Sequence, residues 1–339
     1  MSPETAVILV NIGTPESPAV KDVRSYLREF LGDERVITLP WLFRKILVNL
    51  IIAPFRGPKS AKLYQAIWTE KGSPLLVNSL KLGEALQAEM GGSFRVFTAM
   101  RYGNPSMDDT MQNIAKGSFR KVILVPMYPQ YADSTTGTTV AYFRKLMNKY
   151  AISAEAKIVG PFFQHPGFID SFKDRILACK PETYNHILFS FHGLPVDQTE
   201  KMHPGLTCEQ AECDRTYNDA NTLCYKASCY ETARLIAKAC NLSENSYSVA
   251  FQSRLGLKWL QPYTDKVVEE KALQGIENIL VISPAFVADC LETIYELGVE
   301  YNHLFTEKGG KKFQLVESLN DDPAWVKGLA EIIDTNQDI

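Results

Sequence analysis

The chain has 339 residues, of which 45% are hydrophobic, and this is enough to bury a substantial core in two domains. Its 36 lysines and arginines nearly balance its 39 aspartates and glutamates, so its net charge is only −3. A nucleic-acid-binding surface requires a basic excess, and that class of function is therefore excluded. The first residues lack the basic and apolar regions of a secretory signal, so we expect a cytoplasmic location.

Eight short apolar segments are predicted to be strands, because they are rich in β-branched residues and are bounded by turn residues. They form two sets of four, at residues 6–12, 94–100, 121–127 and 156–159, and at residues 187–192, 247–252, 278–283 and 313–317. Helix-like segments lie between them, at residues 20–31, 107–115, 140–148, 231–239 and 289–301. Such alternation predicts an α/β fold with two doubly wound parallel sheets and a cleft between them.

The predicted domains follow these two sets: residues 1–160, residues 161–320, and a C-terminal helix or tail at residues 321–339. The first domain contains the longest apolar stretch, within residues 39–57. A membrane span needs ~20 apolar residues, and this stretch is shorter and is interrupted by two basic residues. It is either a buried helix or an apolar lip that admits an apolar substrate or rests on the inner face of the cytoplasmic membrane.

One histidine lies where ligands of such sheets bind. The strand 187–192 ends at His192 and continues into Gly193-Leu194-Pro195. Ligands of doubly wound sheets lie beyond the carboxyl ends of the strands. A neutral imidazole, which titrates near pH ~6.5, can take up a proton or bind a metal there. The alternative is a histidine that only hydrogen-bonds to the backbone.

A segment rich in carboxylates follows another strand end. At ~100° per residue of an α-helix, Asp289, Glu292, Glu296 and Glu300 fall within an arc of about 80°. A solvated acidic face is the commoner reason for such an arc, but a position beside a strand end favours a metal site. Carboxylate oxygens suit a hydrated divalent ion, and a nearby imidazole suits Fe²⁺.

Seven segments resemble, in order, the signature motifs of ferrochelatases. They are LVNIGTPES, KGSPL, AMRYGNPS, PMYPQYADSTTGTT, FSFHGLP, FQSRLG and FVADCLETIYELG, and together they extend over nearly the whole chain. The resemblance implies two Rossmann-like domains, each with a four-stranded parallel sheet flanked by helices, and a porphyrin cleft between them. It also implies that the chain inserts Fe²⁺ into protoporphyrin IX and releases two protons, which completes haem.

The resemblance also implies roles for individual residues. His192 matches the family's catalytic histidine, which accepts a pyrrole proton or binds the metal, and Glu292 matches its conserved glutamate. Asp289 and Glu296 match the family's line of acids that bind or relay iron or protons. The positions that match porphyrin-binding residues are Ile12, Arg101, Tyr102, Tyr128, Ser134 and Ser253. At Cys290 the chain departs from the family, because many members have a histidine there.

Four cysteines have the spacing C-x4-C-x10-C-x4-C in an insertion at residues 200–230 of the second domain: Cys208, Cys213, Cys224 and Cys229. In a cytoplasmic chain this pattern favours four thiolate ligands over disulfides. The bound group is then either Zn²⁺ or a [2Fe–2S] cluster. Some ferrochelatases carry a [2Fe–2S] cluster, so the resemblance favours the cluster, in a structural or sensory role.

Three other functions stay open on the sequence alone. One is a chelatase for another tetrapyrrole or metal, either iron with coproporphyrin or cobalt with sirohydrochlorin. Another is a tetrapyrrole or metal carrier without catalytic activity. The third is an iron–sulfur redox protein, which is disfavoured because the chain has no glycine fingerprint for a flavin or nicotinamide.

Overall fold

The structure is a computed structural model that describes residues 3–203, 205–254, 256 and 258–335. In these residues eight strands form two parallel sheets of four. The first sheet contains β1 (Thr5–Gly13), β2 (Phe94–Tyr102), β3 (Lys121–Pro126) and β4 (Glu155–Ile158). The second contains β5 (His186–His192), β6 (Tyr247–Gln252), β7 (Asn278–Ile282) and β8 (Lys312–Leu315). The predicted fold class is therefore confirmed.

The α-helices of the described residues are α1 (Val20–Leu31), α2 (Trp41–Ile46), α3 (Ala53–Ile67), α4 (Pro74–Met90), α5 (Met107–Ala115), α6 (Thr138–Lys149), α7 (Pro166–Ala178), α8 (Val196–Glu200), α9 (Tyr225–Ala239), α10 (Thr264–Leu273), α11 (Asn302–Glu307) and α12 (Pro323–Thr335). Three further segments are π-helices: Leu47–Ile52, Asp133–Gly137 and Glu292–Tyr301. Short 3₁₀-helices occur at Pro181–Thr183 and Glu244–Ser246.

The strand orders of the two sheets are equivalent, β2-β1-β3-β4 and β6-β5-β7-β8. In the first sheet the chain passes from β1 to its neighbour β2 and then crosses over to β3, on the other side of β1. The second sheet repeats this path with β5, β6 and β7. The direction of winding therefore switches between β1 and β3 and between β5 and β7. Ligands of open α/β sheets bind at the carboxyl ends of the strands that flank such a switch point.

Each sheet has its own core, which explains why the strands are continuously apolar. In the first sheet Ile8 and Leu124 pack with Phe143 of α6 and are at most 1% exposed. In the second sheet Leu188 and Val281 pack in the same manner with Phe305 of α11, and all three are fully buried. Full burial of such a side chain stabilises the fold by roughly 1.5–3 kcal/mol.

The chain divides into two compact units. Among the described residues the first unit comprises residues 3–128, 133–160 and 320–335, and the second comprises residues 129–132 and 161–319 with the gaps given above. The domain boundary predicted at residue 160 coincides with the observed one. The predicted C-terminal helix or tail contains α12, which is part of the first unit rather than a separate segment and packs on α4. Its apolar face requires this cover, since Trp325 and Leu329 are fully buried.

The segment 39–57 forms α2, the π-helix Leu47–Ile52 and the start of α3. Eight of its large apolar side chains are exposed: Leu39, Trp41, Leu42, Phe43, Ile46, Leu50, Ile51 and Phe55. We call these side chains the apolar lip. Their exposure contradicts a buried helix, because a buried helix hides its apolar side chains. Among the described helices, none combines the length and the apolar character that crossing a membrane requires.

Candidate active site and cysteine-rich metal site

His192 is held at the carboxyl end of β5. Its Nδ1 lies 2.6 Å from the carbonyl oxygen of Gly193, and because a carbonyl oxygen can only accept, Nδ1 must carry the hydrogen. In the neutral ring the unprotonated nitrogen is therefore Nε2. The side chain is partly buried, and its ring lies edge-on to Phe286 at 6.2 Å between centroids. The imidazole is thus oriented with a lone pair on Nε2 that can take a proton or bind a metal.

Gln252 connects the backbone at His192 with the backbone at Glu292. It ends β6 directly beside His192, and its main-chain oxygen accepts a hydrogen bond of 2.8 Å from the Gly193 N–H. Its side-chain Nε2 donates to the carbonyl oxygen of Glu292 at 3.4 Å, and its Oε1 accepts from Ser190 Oγ at 2.7 Å. Gln252 is not among the predicted site residues, although a polar residue at the end of an apolar strand is a detectable signal.

The acidic segment differs from the prediction. Residues Glu292–Tyr301 form a π-helix, in which hydrogen bonds run from residue i to i+5, so an angle of 100° per residue does not apply. Asp289 lies before the helix, and its Oδ1 accepts hydrogen bonds from Thr293 Oγ1 at 3.0 Å and from the Ser318 N–H at 3.3 Å. The predicted arc of four carboxylates on one α-helix is therefore wrong. π-Helices are rare and are frequently found at functional sites.

Glu296 binds Ser253 with both carboxylate oxygens. Its Oε1 accepts from the Ser253 N–H at 2.8 Å, and its Oε2 accepts from Ser253 Oγ. The hydroxyl of Tyr301 also donates to Oε1, at 2.8 Å. Ser253 has a φ of 62°, a left-handed conformation that is unfavourable for a serine, and these hydrogen bonds compensate for it. Glu296 would have to exchange these donors before it could bind iron.

Glu292 begins the π-helix and is partly buried. Its neighbour Cys290 is buried, and burial together with the Glu292 carboxylate raises the pKa of the Cys290 thiol well above its usual value. Since the thiolate is the form that binds metals, a neutral Cys290 is a weak replacement for the histidine that many family members have there. Glu292 and His192 both have side chains whose chemistry suits proton transfer.

The predicted porphyrin-binding residues of the first unit lie at or just beyond the carboxyl ends of its strands. Ile12 is near the end of β1, Arg101 and Tyr102 end β2, Tyr128 follows β3, and Ser134 is buried in the π-helix Asp133–Gly137. Burial raises the pKa of both tyrosines, so they remain neutral phenols that can donate hydrogen bonds. The structure therefore brings these residues to the same edge of the first sheet.

Arg101 is paired with Asp33, which is not among the predicted site residues. Its Nη2 lies 2.6 Å from Oδ2 of Asp33, and both side chains are 11% exposed. The hydroxyl of Thr138 donates to the same Asp33 oxygen at 2.7 Å. The guanidinium carbon also lies 4.4 Å from the ring centroids of Tyr102 and Tyr142. Asp33 precedes Arg101 by 68 residues, so no sequence motif connects the two.

The cysteine-rich segment contains a buried group of four metal-binding side chains: His203, Cys208, Cys213 and Cys224. Their ligand atoms all lie within 4.8 Å of one another. His203 Nε2 is 3.5 Å from Sγ of Cys208 and of Cys213, and the Sγ atoms of Cys208 and Cys224 are 3.8 Å apart. Around one tetrahedral ion, two sulfurs are about 3.8 Å apart and a sulfur and a nitrogen about 3.6 Å apart. The group therefore has the spacing of ligands that share a metal.

The donor chemistry of this group also fits a metal. Hydrogen bonds from the thiols of Cys208 and Cys224 lower the pKa of Cys213, whereas the bond that Cys208 donates to Cys213 raises the pKa of Cys208. The thiols thus lie close enough for one thiolate to accept hydrogen bonds from its neighbours, which favours ionisation within the group. Thiolates together with an imidazole suit zinc or iron.

Cys229, the fourth cysteine of the predicted set, lies apart from this group. Cys224 is the N-cap of α9, and Cys229 follows five residues later, which is about 7.5 Å further along the helix axis. The Cys229 thiol is buried beside Tyr225, and burial raises its pKa. The structure thus places His203 where the spacing predicted Cys229. A histidine at position 203 fits the Cys/His pattern of metal sites, but its spacing to Cys208 gave no distinct signal.

The fold of two parallel four-stranded sheets with equivalent strand order is shared with a solved chelatase. Among solved structures the chain is similar to the sirohydrochlorin chelatase SirB of Bacillus subtilis subspecies spizizenii in complex with cobalt. The TM-score is 0.55 at 8% sequence identity, and the similarity covers 98% of this chain and 94% of that chain. This similarity concerns the fold alone.

The ferrochelatase family model matches residues 4–337. The ferrochelatase of Coxiella burnetii strain Dugway is 42% identical over 333 residues, which cover 96% of this chain and 92% of the relative. The ferrochelatases of Pseudomonas fluorescens and Legionella pneumophila are each 40% identical over 96% of this chain, covering 96% and 98% of their own lengths. The chain therefore belongs to the ferrochelatase family.

The activity is accordingly that of a lyase that inserts Fe²⁺ into protoporphyrin IX and makes haem. The predicted family and activity are confirmed, and the alternatives of another chelatase or a carrier without activity are not favoured. Porphyrin and Fe²⁺ are thus its substrates.

Proposed function

We propose that His192 is the base that removes the pyrrole protons of protoporphyrin IX and that Glu292 relays them away. The observation that carries this proposal is the bond from His192 Nδ1 to the Gly193 carbonyl, which leaves Nε2 as the basic nitrogen. A porphyrin must lose two N–H protons as iron enters, and a positioned imidazole can accept and release protons. The side chain of Gln252 donates to the main-chain oxygen of Glu292 and so connects Glu292 with the backbone at His192.

We propose further that Asp289 and Glu296 attract Fe²⁺ or accept protons next to Glu292. Carboxylate oxygens suit this ion, and the three acids belong to one short segment that includes the start of the π-helix. The bonds of Glu296 to Ser253 support a role in which the carboxylate exchanges partners rather than binding iron permanently.

The porphyrin is proposed to be bound by Ile12, Arg101, Tyr102, Tyr128, Ser134 and Ser253. Protoporphyrin IX has an apolar ring and two propionate carboxylates. Guanidinium and hydroxyl groups donate hydrogen bonds to carboxylates, whereas Ile12 offers an apolar contact to the ring. The pairing of Arg101 with Asp33 and its stacking on two tyrosines supports a guanidinium of fixed orientation.

The cysteine-rich segment is proposed to hold a [2Fe–2S] cluster in a structural or sensory role, with Zn²⁺ as the alternative. Cys208, Cys213 and Cys224 would supply thiolates, and either Cys229 or His203 would supply the fourth ligand. A bound cluster adds a visible chromophore and a link between its protein ligands. Iron insertion involves no electron transfer, so no step of the reaction depends on it.

The apolar lip is proposed to contact a membrane surface peripherally. All five charged residues of the segment 41–67 are basic, and four of them, Lys45, Arg56, Lys59 and Lys62, are exposed. Exposed apolar side chains beside lysines and arginines are typical of segments that bind anionic lipid. Such a position suits an enzyme whose porphyrin substrate is itself largely apolar.

Replacing His192 by alanine tests the proposed reaction. We expect the rate of haem formation from protoporphyrin IX and Fe²⁺, followed anaerobically by absorption, to fall by about 10²-fold or more, because a positioned general base contributes ~10²–10⁴-fold. His303→Ala is the matched control, since its side chain is 72% exposed, and it should retain normal activity. A near-normal rate for His192→Ala would contradict the proposal.

A further inference from the structure

Tyr225 belongs to the cysteine-rich segment and connects it with His192 through a hydrogen bond. It is the first residue of α9 and directly follows Cys224, and its side chain is 7% exposed. Its hydroxyl donates a hydrogen bond of 2.9 Å to the main-chain carbonyl oxygen of His192. The two residues are 33 positions apart in the sequence, so this contact depends on how the cysteine-rich segment folds.

The hydroxyl of Tyr225 completes the fixation of one peptide group. The group that joins His192 to Gly193 has two polar edges, and both are bound. Its carbonyl accepts from Tyr225, and its N–H donates to the Gln252 carbonyl at 2.8 Å. Gly193 permits this close approach, because a Cβ on it would lie 2.7 Å from the Gln252 oxygen. The peptide group can therefore not turn without breaking a hydrogen bond.

The orientation of this peptide group determines the orientation of the imidazole. The His192 ring is held through its Nδ1 by the oxygen of Gly193, which belongs to the next peptide group along the chain. A change in the ψ angle of His192, which turns this peptide group, would displace Gly193 and with it this acceptor oxygen. The direction in which Nε2 points thus depends on the hydroxyl of Tyr225.

Tyr225 is itself well fixed as a donor. A phenol is un-ionised at neutral pH, so the hydroxyl keeps the hydrogen that it donates to the His192 carbonyl. It lies beside the thiol of Cys229 within α9, and the Sγ of Cys224 accepts from the Ala227 N–H at 3.5 Å at the start of that helix. The start of α9 therefore holds the hydroxyl in a fixed position.

We propose that Tyr225 is a positioning residue that orients the imidazole of His192. The inference rests on the proposed role of His192 as the base. Tyr225 does not take part in the chemistry, and acts by restricting the peptide group that carries the base. A base displaced from its position loses much of its effect on the rate, because proton transfer requires hydrogen-bond geometry.

The test is Tyr225→Phe, which removes one hydroxyl and keeps the packing of the ring. We expect kcat for haem formation to fall about tenfold, with the KM for protoporphyrin IX within about twofold of the wild-type value. The ring nitrogens of the five histidines can be followed by ¹H–¹⁵N NMR in the protein as purified, without added porphyrin or substrate iron. His192 should show one tautomer, protonated at Nδ1, in the wild type and a mixture of tautomers in Tyr225→Phe.

Tyr217→Phe is the matched control. Tyr217 lies in the same cysteine-rich segment, and its hydroxyl also donates to a main-chain oxygen, that of Thr222 at 3.1 Å. This variant should keep kcat and the His192 tautomer unchanged. A normal kcat and a single tautomer in Tyr225→Phe would overturn the proposal, as would equal losses in the two variants. The NMR result does not depend on activity, so it separates a failure of this inference from a failure of the role assigned to His192.

Discussion

At the scale of single residues, the hydrogen bonds of His192 and of Glu296 indicate different roles for these two side chains. His192 uses one ring nitrogen to fix its position and keeps a lone pair on the other. Glu296 has both carboxylate oxygens bound by donors from Ser253 and Tyr301. The first arrangement suits repeated proton transfer, and the second stabilises a left-handed serine in the motif FQSRLG.

His186 makes the stability of the fold depend on pH. It is 5% exposed at the start of β5, where its Nε2 contacts Ser248 Oγ at 2.8 Å. Burial, followed by the nearby Lys271, lowers its pKa to about 4. Between pH 6.5 and 4 the unfolded chain therefore binds a proton that the folded chain does not, and stability falls as the pH falls through this range.

We expect His186 to lower the free energy of unfolding by about 2 kcal/mol when the pH is lowered from 7 to 5. Urea denaturation at the two pH values measures the change in the free energy of unfolding. In His186→Gln this contribution is absent, so the variant should lose about 2 kcal/mol less than the wild type over the same range. Equal pH dependence in the two proteins would show that His186 is not held neutral.

At the scale of helices and strands, ordinary α-helices and strands were predictable from the sequence, whereas the π-helix Glu292–Tyr301 was not. The apolar periodicity predicted α1 and α5 residue for residue, and Ser106 caps α5 by accepting from the Asp109 N–H at 3.0 Å. The same reasoning assigned an α-helix to the acidic segment, because a side-chain pattern carries no information on whether hydrogen bonds span four or five residues. The fourth member of the metal group escaped prediction for a related reason. Whether Cys229 or His203 faces Cys224 depends on where α9 begins.

The metal group can be tested by three single substitutions. Cys213→Ser should abolish the red-brown absorption and the bound iron and sulfide of the purified protein. Colourless wild-type protein with bound zinc would instead favour the alternative. Cys229→Ser and His203→Ala identify the fourth ligand, since only the variant that lacks a ligand should lose the metal.

The apolar lip predicts binding to anionic lipid. The double variant Phe43→Ser/Leu50→Ser removes two side chains that are 63% and 66% exposed, so its fold should be unaffected. We expect at least about tenfold weaker cosedimentation with vesicles of phosphatidylglycerol and phosphatidylcholine, because each buried apolar side chain contributes ~1.5–3 kcal/mol. Raising the salt concentration should also weaken wild-type binding, through the lysines and arginines beside the lip.

Leu273→Ser is the control for this experiment, because Leu273 is 69% exposed at the end of α10, outside the lip. It should bind vesicles like the wild type. Binding that is equal for the double variant and the wild type would show that the lip does not contact lipid.

At the scale of the whole molecule, the two units repeat one arrangement at their inner strands. β1 ends at Gly13, and β5 is followed by Gly193. A Cβ on Gly13 would lie 1.7 Å from the oxygen of Tyr102, the last residue of β2, and a Cβ on Gly193 would approach the oxygen of Gln252, the last residue of β6. The sequence predicted the two sheets because buried parallel strands have a distinct composition. It could not predict that residues 320–335 belong to the first unit, since that depends on the packing of α12 on α4.

Gly13→Ala tests the close approach in the first unit. The residue has a φ of 112° and no space for a methyl group, so we expect a loss of about 3 kcal/mol or more in the free energy of unfolding. Gly72→Ala is the matched control, because Gly72 has a φ of 113° but no atom within 4 Å of the added Cβ. It should lose only about 1 kcal/mol, the cost of the backbone conformation. Similar losses in urea denaturation would show that the conformation, and not the contact, dominates.

The repeated glycine arrangement means that two corresponding strand ends differ in one chemical property. The residue before the glycine is Ile12 in one half and His192 in the other, at corresponding strand ends. Ile12 has a hydrocarbon side chain, whereas the side chain of His192 can exchange protons. Two equivalent backbone positions are therefore chemically distinct, because an ionisable side chain occupies only one of them.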